Sequence, residues 1–383
     1  MLNRHNVRDL KPAAAVFAAL VMMLAVAACE VGNPQPSPSP SESPRLNPAA
    51  TQAGDLRTHL DLLLGEQIMI VSKQAVAAAN HTDDYASYTG LLSTNTSELT
   101  ASWSRAFGNT TATRLAASWD TQNAYLVDYT IGVVTHDTAK AKDAATNLTQ
   151  KFVPQFAQLV TDASRLPLDP VMLLLTQQAL ENKAFIDDYG AQKYPQFYTD
   201  LHRAYAQTSR FGDALAVAIA ERFHDKFPGD PELRAVNVRV SANMLLHEHS
   251  YLATMVTSAI VGARNSEATA AQSALHDSAV AASAVIAPTV GVDAGQIASQ
   301  WDVEHDSLLR YARGDAAARS VLTNNFVNDL ASRARIAKAL LLDQVTATLK
   351  VIDDQRAKNY AAVASDDRAA ATSTQPIGDA IRG

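Results

Sequence analysis

Two histidines, His249 and His305, carry most of the chemistry that this sequence offers, and each follows a glutamate, Glu248 and Glu304. Each imidazole falls on an apolar stripe. Leu245, His249, Leu252 and Val256 recur at steps of four, three and four, and Trp301, His305 and Leu308 follow the same spacing. Such steps mark one face of an α-helix. Helices of one bundle turn such faces to a common core, so two imidazoles and up to two carboxylates can converge there. Imidazole suits copper or zinc, and carboxylate suits iron or manganese. Glu248, His249, Glu304 and His305 are therefore the candidate transition-metal set. The competing reading is that these groups are satisfied buried polar residues that fix helix register. An error of one residue in the stripe would instead leave the imidazoles at the surface.

Other chemical leads are weaker. His247-Glu248-His249 is a His-x-His, but on a helix its imidazoles point about 200° apart and cannot share an ion. His81, Asp83 and Asp84 fall at a helix boundary, where Thr82 and Asp83 suit N-caps and Asp84 the first turn. Gly212-Asp213 and Gly378-Asp379 each have one glycine, too few for a phosphate-cradling nest. No Gly-x-Ser-x-Gly nucleophile elbow occurs. Tyr85, Tyr88, Tyr194, Tyr198 and Tyr205 lie at helical spacing and read as packing residues. The acidic pairs Asp187-Asp188 and Asp353-Asp354 read as a solvated face. Across all 383 residues the net charge is −7, of the wrong sign for a nucleic-acid binder. A single cysteine excludes an internal disulfide framework and a Cys-based zinc site.

The elements that must position the histidines are helices. Apolar residues recur at helical spacing from Leu56 onward, with Leu115, Trp119, Leu126, Tyr129 and Val133 as one example. Breakers fall at Gly108-Asn109, Leu166 to Pro170, Pro228 to Pro231 and Pro288 to Gly295. The expected fold class is all-α.

Sliding the sequence along itself brings Arg57 onto Arg239, Leu63-Leu64 onto Leu245-Leu246, Glu66 onto Glu248, and Trp119-Asp120 onto Trp301-Asp302. Beyond two shortenings, Leu148-Thr149 meets Leu322-Thr323, Ile186-Asp187-Asp188 meets Ile352-Asp353-Asp354, and Gly212-Asp213-Ala214 meets Gly378-Asp379-Ala380. This predicts two tandem copies, 55–232 and 233–383, of a unit of about six helices built on an up-down four-helix bundle. First-copy helices are expected near 55–80, 83–107, 111–135, 138–163, 169–190 and 192–226. Second-copy helices are expected near 233–263, 266–287, 293–312, 315–335 and 336–357, followed by an Ala-rich tail expected to fray. The positions matching His249 and His305 are Gln67 and Asn123, so any metal site belongs to the second copy.

The N-terminus reads as an address. Arg4, Arg8 and Lys11 precede an uncharged apolar run from Ala13 to Ala28, which fits a signal peptide over residues 1–28. That run ends Val26-Ala27-Ala28-Cys29, which resembles the bacterial lipobox, whose cysteine is lipidated and becomes the new N-terminus. The following Pro-Ser alternation, from Asn33 to Pro44, suits an extended tether, expected over 29–54. Membrane lipid at Cys29 is thus the expected partner, and no nucleic acid is expected.

Leu56-Arg57, Leu63-Leu64, Glu66, Trp119, Val127-Asp128-Tyr129-Thr130 and Leu166-Pro167 together resemble a bacterial family of secreted or lipid-anchored proteins. The resemblance covers nearly all of 55–383 and implies repeated helical bundles. Some members of that family carry the label copper amine oxidase. It also implies Glu-His on the first helix, a histidine four residues after the tryptophan, and a histidine on the fifth helix. Glu248-His249 and Trp301 with His305 match, whereas Gln67, Asn123, Gln178 and Gln344 depart from the pattern. The oxidase label does not fit: that enzyme needs a β-sandwich, three histidines and a cofactor-forming Asn-Tyr-Asp/Glu-Tyr, whereas here Asn359-Tyr360 is followed by Ala361. The expectation is an extracytoplasmic, lipid-anchored, non-catalytic binding module without a cofactor. The alternative is a bundle binding copper, iron or zinc in the second copy.

Overall fold

Alanine-rich amphipathic segments punctuated by Gly, Pro and Asn favour helices. In the computed structural model, which describes residues 48–381, every regular element is helical. The first half contains α1 (Gln52–Asn80), α2 (Asp84–Phe107), α3 (Asn109–Val134), α4 (Thr138–Asn147), the π-segment π1 (Leu148–Phe152), α5 (Val153–Ser164), α6 (Leu168–Gly190) and α7 (Tyr194–Arg222). The second half contains α8 (Arg234–Val261), α9 (Asn265–Val290), α10 (Ala294–Ala312), α11 (Ala317–Ser320), π2 (Val321–Phe326), α12 (Val327–Ala334), α13 (Lys338–Ala357), α14 (Tyr360–Thr372) and α15 (Gln375–Ala380). Local chemistry sets several ends. Thr51 Oγ1 accepts from Gly54 N–H at 3.0 Å and caps α1, and Asp293 accepts from Gly295 N–H at 2.8 Å and caps α10. Gly291 closes α9 with a left-handed φ of 71°.

The described residues belong to one compact unit, Leu46–Gly383. Helices α1 and α8 pack on each other at its centre, and both bury residues around most of their circumference. By length and composition α1 could cross a membrane, but most of its apolar window is buried by the surrounding helices. A late helix of each half reaches across: α7 lies against α1 and α9, and α14 lies against α8 and α2. The Pro228–Pro231 segment joins two halves that share this packing. One apolar cluster, around Trp103, Trp119, Phe152, Phe156 and Phe211, is confined to the first half. The other spans both halves, from Ile68 and Phe197 to Leu252, Trp301 and Phe326.

Contacts recur at positions the sequence register pairs. Arg57 Nε donates to Asp213 Oδ1 at 2.5 Å, and Arg239 Nε to Asp379 Oδ1 at 2.7 Å. Tyr129 O–H donates to Asp187 at 2.5 Å, and Tyr311 O–H to Asp353 at 2.7 Å. The acidic pairs read as a solvated face are therefore half-exposed anchors for tyrosines. Both π-segments set a phenylalanine against a tryptophan: Phe152 and Trp119 centroids lie 6.3 Å apart, Phe326 and Trp301 5.5 Å.

Two expectations need correction. The tether expected to run to residue 54 gives way earlier, because Ala49 and Ala53 are buried and α1 starts at Gln52. The tail expected to fray forms α14 and α15, whose Ala370, Ala371 and Ile377 are buried. Its weak amphipathicity reflects small alanines packed against other helices rather than exposure. The signal peptide 1–28, Cys29 and the tether up to residue 47 lie outside the described residues.

Candidate metal centre

His249 on α8 and Glu304 and His305 on α10 meet in the second half, and all three are buried. One ligand atom from each lies within 4.8 Å of the others. His249 Nε2 stands 3.0 Å from Glu304 Oε2. The His249 and His305 rings stack with centroids 5.3 Å apart, and Trp301 tilts over His249 at 4.7 Å. Trp301 in turn packs on Phe326 of π2, so the imidazoles sit in an apolar shell.

Hydrogen bonds from outside the set orient His249. Ser278 Oγ on α9 donates to the Leu275 carbonyl at 2.8 Å, which leaves Oγ free to accept from His249 Nδ1–H at 2.9 Å. That arrangement turns Nε2 toward Glu304, as ligand histidines are commonly held by an outer partner. The far side of the set is unsatisfied. His305 Nε2 and Glu304 Oε1 are buried without a hydrogen-bond partner. Burial chiefly, then the nearby His249 and His276, push the His305 pKa down to about 2. A neutral ring of this kind keeps a lone pair available.

Glu248 does not join the set. It is buried on another face of α8, with Oε1 at 2.8 Å from His202 Nδ1 on α7. Adjacent helix residues diverge by about 100°, and the His249 face and the Glu248 face meet different neighbours. His247 points elsewhere again, with Nδ1 2.9 Å from Tyr205 O–H, and burial lowers its pKa to about 3. Three residues absent from the sequence argument complete the surroundings. They are Ser278, His276 and Asp302, the last two forming a second, more exposed group with His305. Asp302 lies three residues before His305 and one turn away; His276 and Ser278 lie on a helix whose rotation the sequence did not fix.

The matching place in the first half is built of amides. There Gln67 Nε2 donates to Asn123 Oδ1 at 2.8 Å. Asn123 Nδ2 donates to Thr96 Oγ1 at 3.1 Å, and Gln178 Nε2 reaches Gln67 Oε1 at 3.4 Å. An amide can donate and accept at once, so Gln67 and Asn123 answer each other, while Gln178 Oε1 stays buried without a partner.

What the fold and this geometry define is an all-helical protein with a buried two-histidine, one-carboxylate cluster. Comparison with protein-family models, curated proteins and solved structures finds no match.

Proposed function

We propose that this chain is an extracytoplasmic, lipid-anchored binding protein whose second half holds a transition-metal ion through His249, His305 and Glu304. Two observations carry the proposal: His249, Glu304 and His305 each offer a ligand atom within 4.8 Å of the others, and the buried His305 Nε2 and Glu304 Oε1 have no hydrogen-bond partner. An unpaired buried nitrogen costs about 1–3 kcal/mol if it has no use. Metal–nitrogen and metal–oxygen bonds of about 2.0–2.2 Å bring neighbouring ligands close to the spacing already present. Two imidazoles and a carboxylate suit zinc, copper or iron(II), and three protein ligands leave a coordination position open. No catalytic step is assigned, since the sequence offers no nucleophile or acid–base constellation beside the cluster. The Val26-Ala27-Ala28-Cys29 run and the resemblance to secreted and lipid-anchored helical proteins support the placement outside the cytoplasm.

Thermal unfolding of the metal-free full chain in detergent, with and without Zn(II) or Cu(II), tests the proposal. An ion at 100 times its Kd stabilises the folded state by about 2.7 kcal/mol. The expected result is a rise in Tm that His249→Ala and His305→Ala each abolish. No rise with any ion, or a rise that both variants retain, refutes the site.

A further inference from the structure

A groove of about 500 Å³ lies outside the metal cluster and is lined by α7 and α9 residues together with Glu248 and Leu252 of α8. The register shows how the corresponding face of the first half differs. Ala270, Ala274 and Ala281 on α9 stand where α2 carries Tyr88, Leu92 and Leu99, all three buried. Small side chains open the space on one side; large ones fill it on the other.

The charges differ in the same way. Both oxygens of Glu66 are satisfied: Arg368 Nε donates to Oε1 at 2.9 Å, Tyr251 O–H to Oε1 at 3.3 Å, and Asn95 Nδ2 to Oε2 at 2.7 Å. Around Glu248, the match of Glu66, the register sets His202 of α7 where Arg368 stands and Asp277 of α9 where Asn95 stands. Glu248 keeps one partner, His202, and its Oε2 is buried with none. The groove has therefore exchanged a permanent cation for a half-exposed histidine, and an amide donor for a second carboxylate. A buried carboxylate oxygen without a donor is costly unless a ligand supplies one.

We propose that this groove binds a small primary alkylammonium ion. Its ammonium group would donate to Glu248 Oε2, restoring the charge and donors that Arg368 and Asn95 give Glu66. Its alkyl chain would lie along Ala270, Ala274, Ala281 and Leu252. The volume falls in the range of small-ligand sites, and the mostly apolar lining with a few polar groups is typical of them. Glu248 is not a metal ligand, so the inference stands apart from the metal proposal.

Isothermal titration of the full chain in detergent with hexylammonium, hexan-1-ol and hexanoate provides the test. Hexylammonium is expected to bind, with the alcohol and the carboxylate at least tenfold weaker. Glu248→Gln should weaken hexylammonium at least tenfold. Ala274→Leu, which installs the residue found at the matching Leu92 position, should abolish binding by filling the groove. Metal uptake should persist in Ala274→Leu, which separates this inference from the previous one. Equal binding of the amine and the alcohol, no binding of the amine to the wild type, or unchanged amine binding in Ala274→Leu overturns it. Should Glu248→Gln fail to fold, the comparison of amine with alcohol and the Ala274→Leu variant still decide.

Discussion

Around Gln67 the buried polar groups are amides, of which Gln178 Oε1 is left unanswered, while around His249 they are imidazoles and a carboxylate that leave His305 Nε2 and Glu304 Oε1 unanswered. The residues that support each cluster are alike: Thr96 serves Asn123 as Ser278 serves His249, and Trp119 and Trp301 stand at matching positions. Similar scaffolding thus carries an amide core on one side and an imidazole–carboxylate core on the other. The lesson is that the kind of atom left open, an amide oxygen in one cluster and an imidazole nitrogen beside a carboxylate oxygen in the other, distinguishes the two more than burial or helix position does.

The contrast runs the other way at the central seam. Lys73 and Asp367 form a fully buried ion pair at 2.5 Å, with Thr254 O–H donating to Asp367 at 2.6 Å and Tyr88 O–H at 2.9 Å. The matching positions hold Met255 and Leu201, both buried. The largest expected effect follows from that difference. Asp367→Leu strands the lysine charge and should cost about 3–5 kcal/mol in urea unfolding. The double variant Lys73→Met/Asp367→Leu copies the other half and should recover most or all of that loss. A double variant as unstable as the single one would break the comparison.

Asp61 gives a medium effect that depends on pH. Its match is Asn243, whose Nδ2 donates to Asp379 Oδ1 at 2.9 Å. Burial, and next the adjacent Asp213 carboxylate, push the Asp61 pKa well above the ordinary value. A raised acid favours the folded state only while protonated. Its contribution is therefore present at low pH and lost as pH rises past the unfolded value of about 3.9. Asp61→Asn should remove a loss of up to about 1.4 kcal/mol per pH unit and raise stability at neutral pH. Parallel pH profiles for wild type and variant would show that the carboxyl does not act as an amide substitute.

The smallest effects should be equal. Tyr129→Phe removes the hydrogen bond to Asp187, and Tyr311→Phe removes that to Asp353 together with a long, part-exposed one from Arg319 at 3.3 Å, so each should cost about 0.5–1.5 kcal/mol by chemical denaturation. Costs differing by more than about 1 kcal/mol would mean that the two anchors are not equivalent.

Much of this was legible in the sequence. Helix positions followed from periodicity and breakers, and the stripes of Leu245 to Val256 and Trp301 to Leu308 placed His249 and His305 face to face. Glu248 was misplaced because its partner, His202, comes from α7, and sequence spacing does not say which helix covers a given face. The alanines of α9 did not reveal the groove they line, since a small side chain signals either tight contact or open space. The single glycine of each Gly-Asp pair had a role that only packing reveals. A Cβ at Gly212 or Gly378 would collide with Asp61 or Asn243, so these glycines admit the polar groups beside the Arg–Asp pairs.

The central claim concerns where a metal binds, and the metal-to-protein ratio of the loaded and desalted full chain addresses it most directly. The account predicts one ion per chain in the wild type, one in Asn123→Ala at the matching first-half position, and none in His305→Ala. An ion retained by His305→Ala, or lost from Asn123→Ala while that variant remains folded, would contradict it.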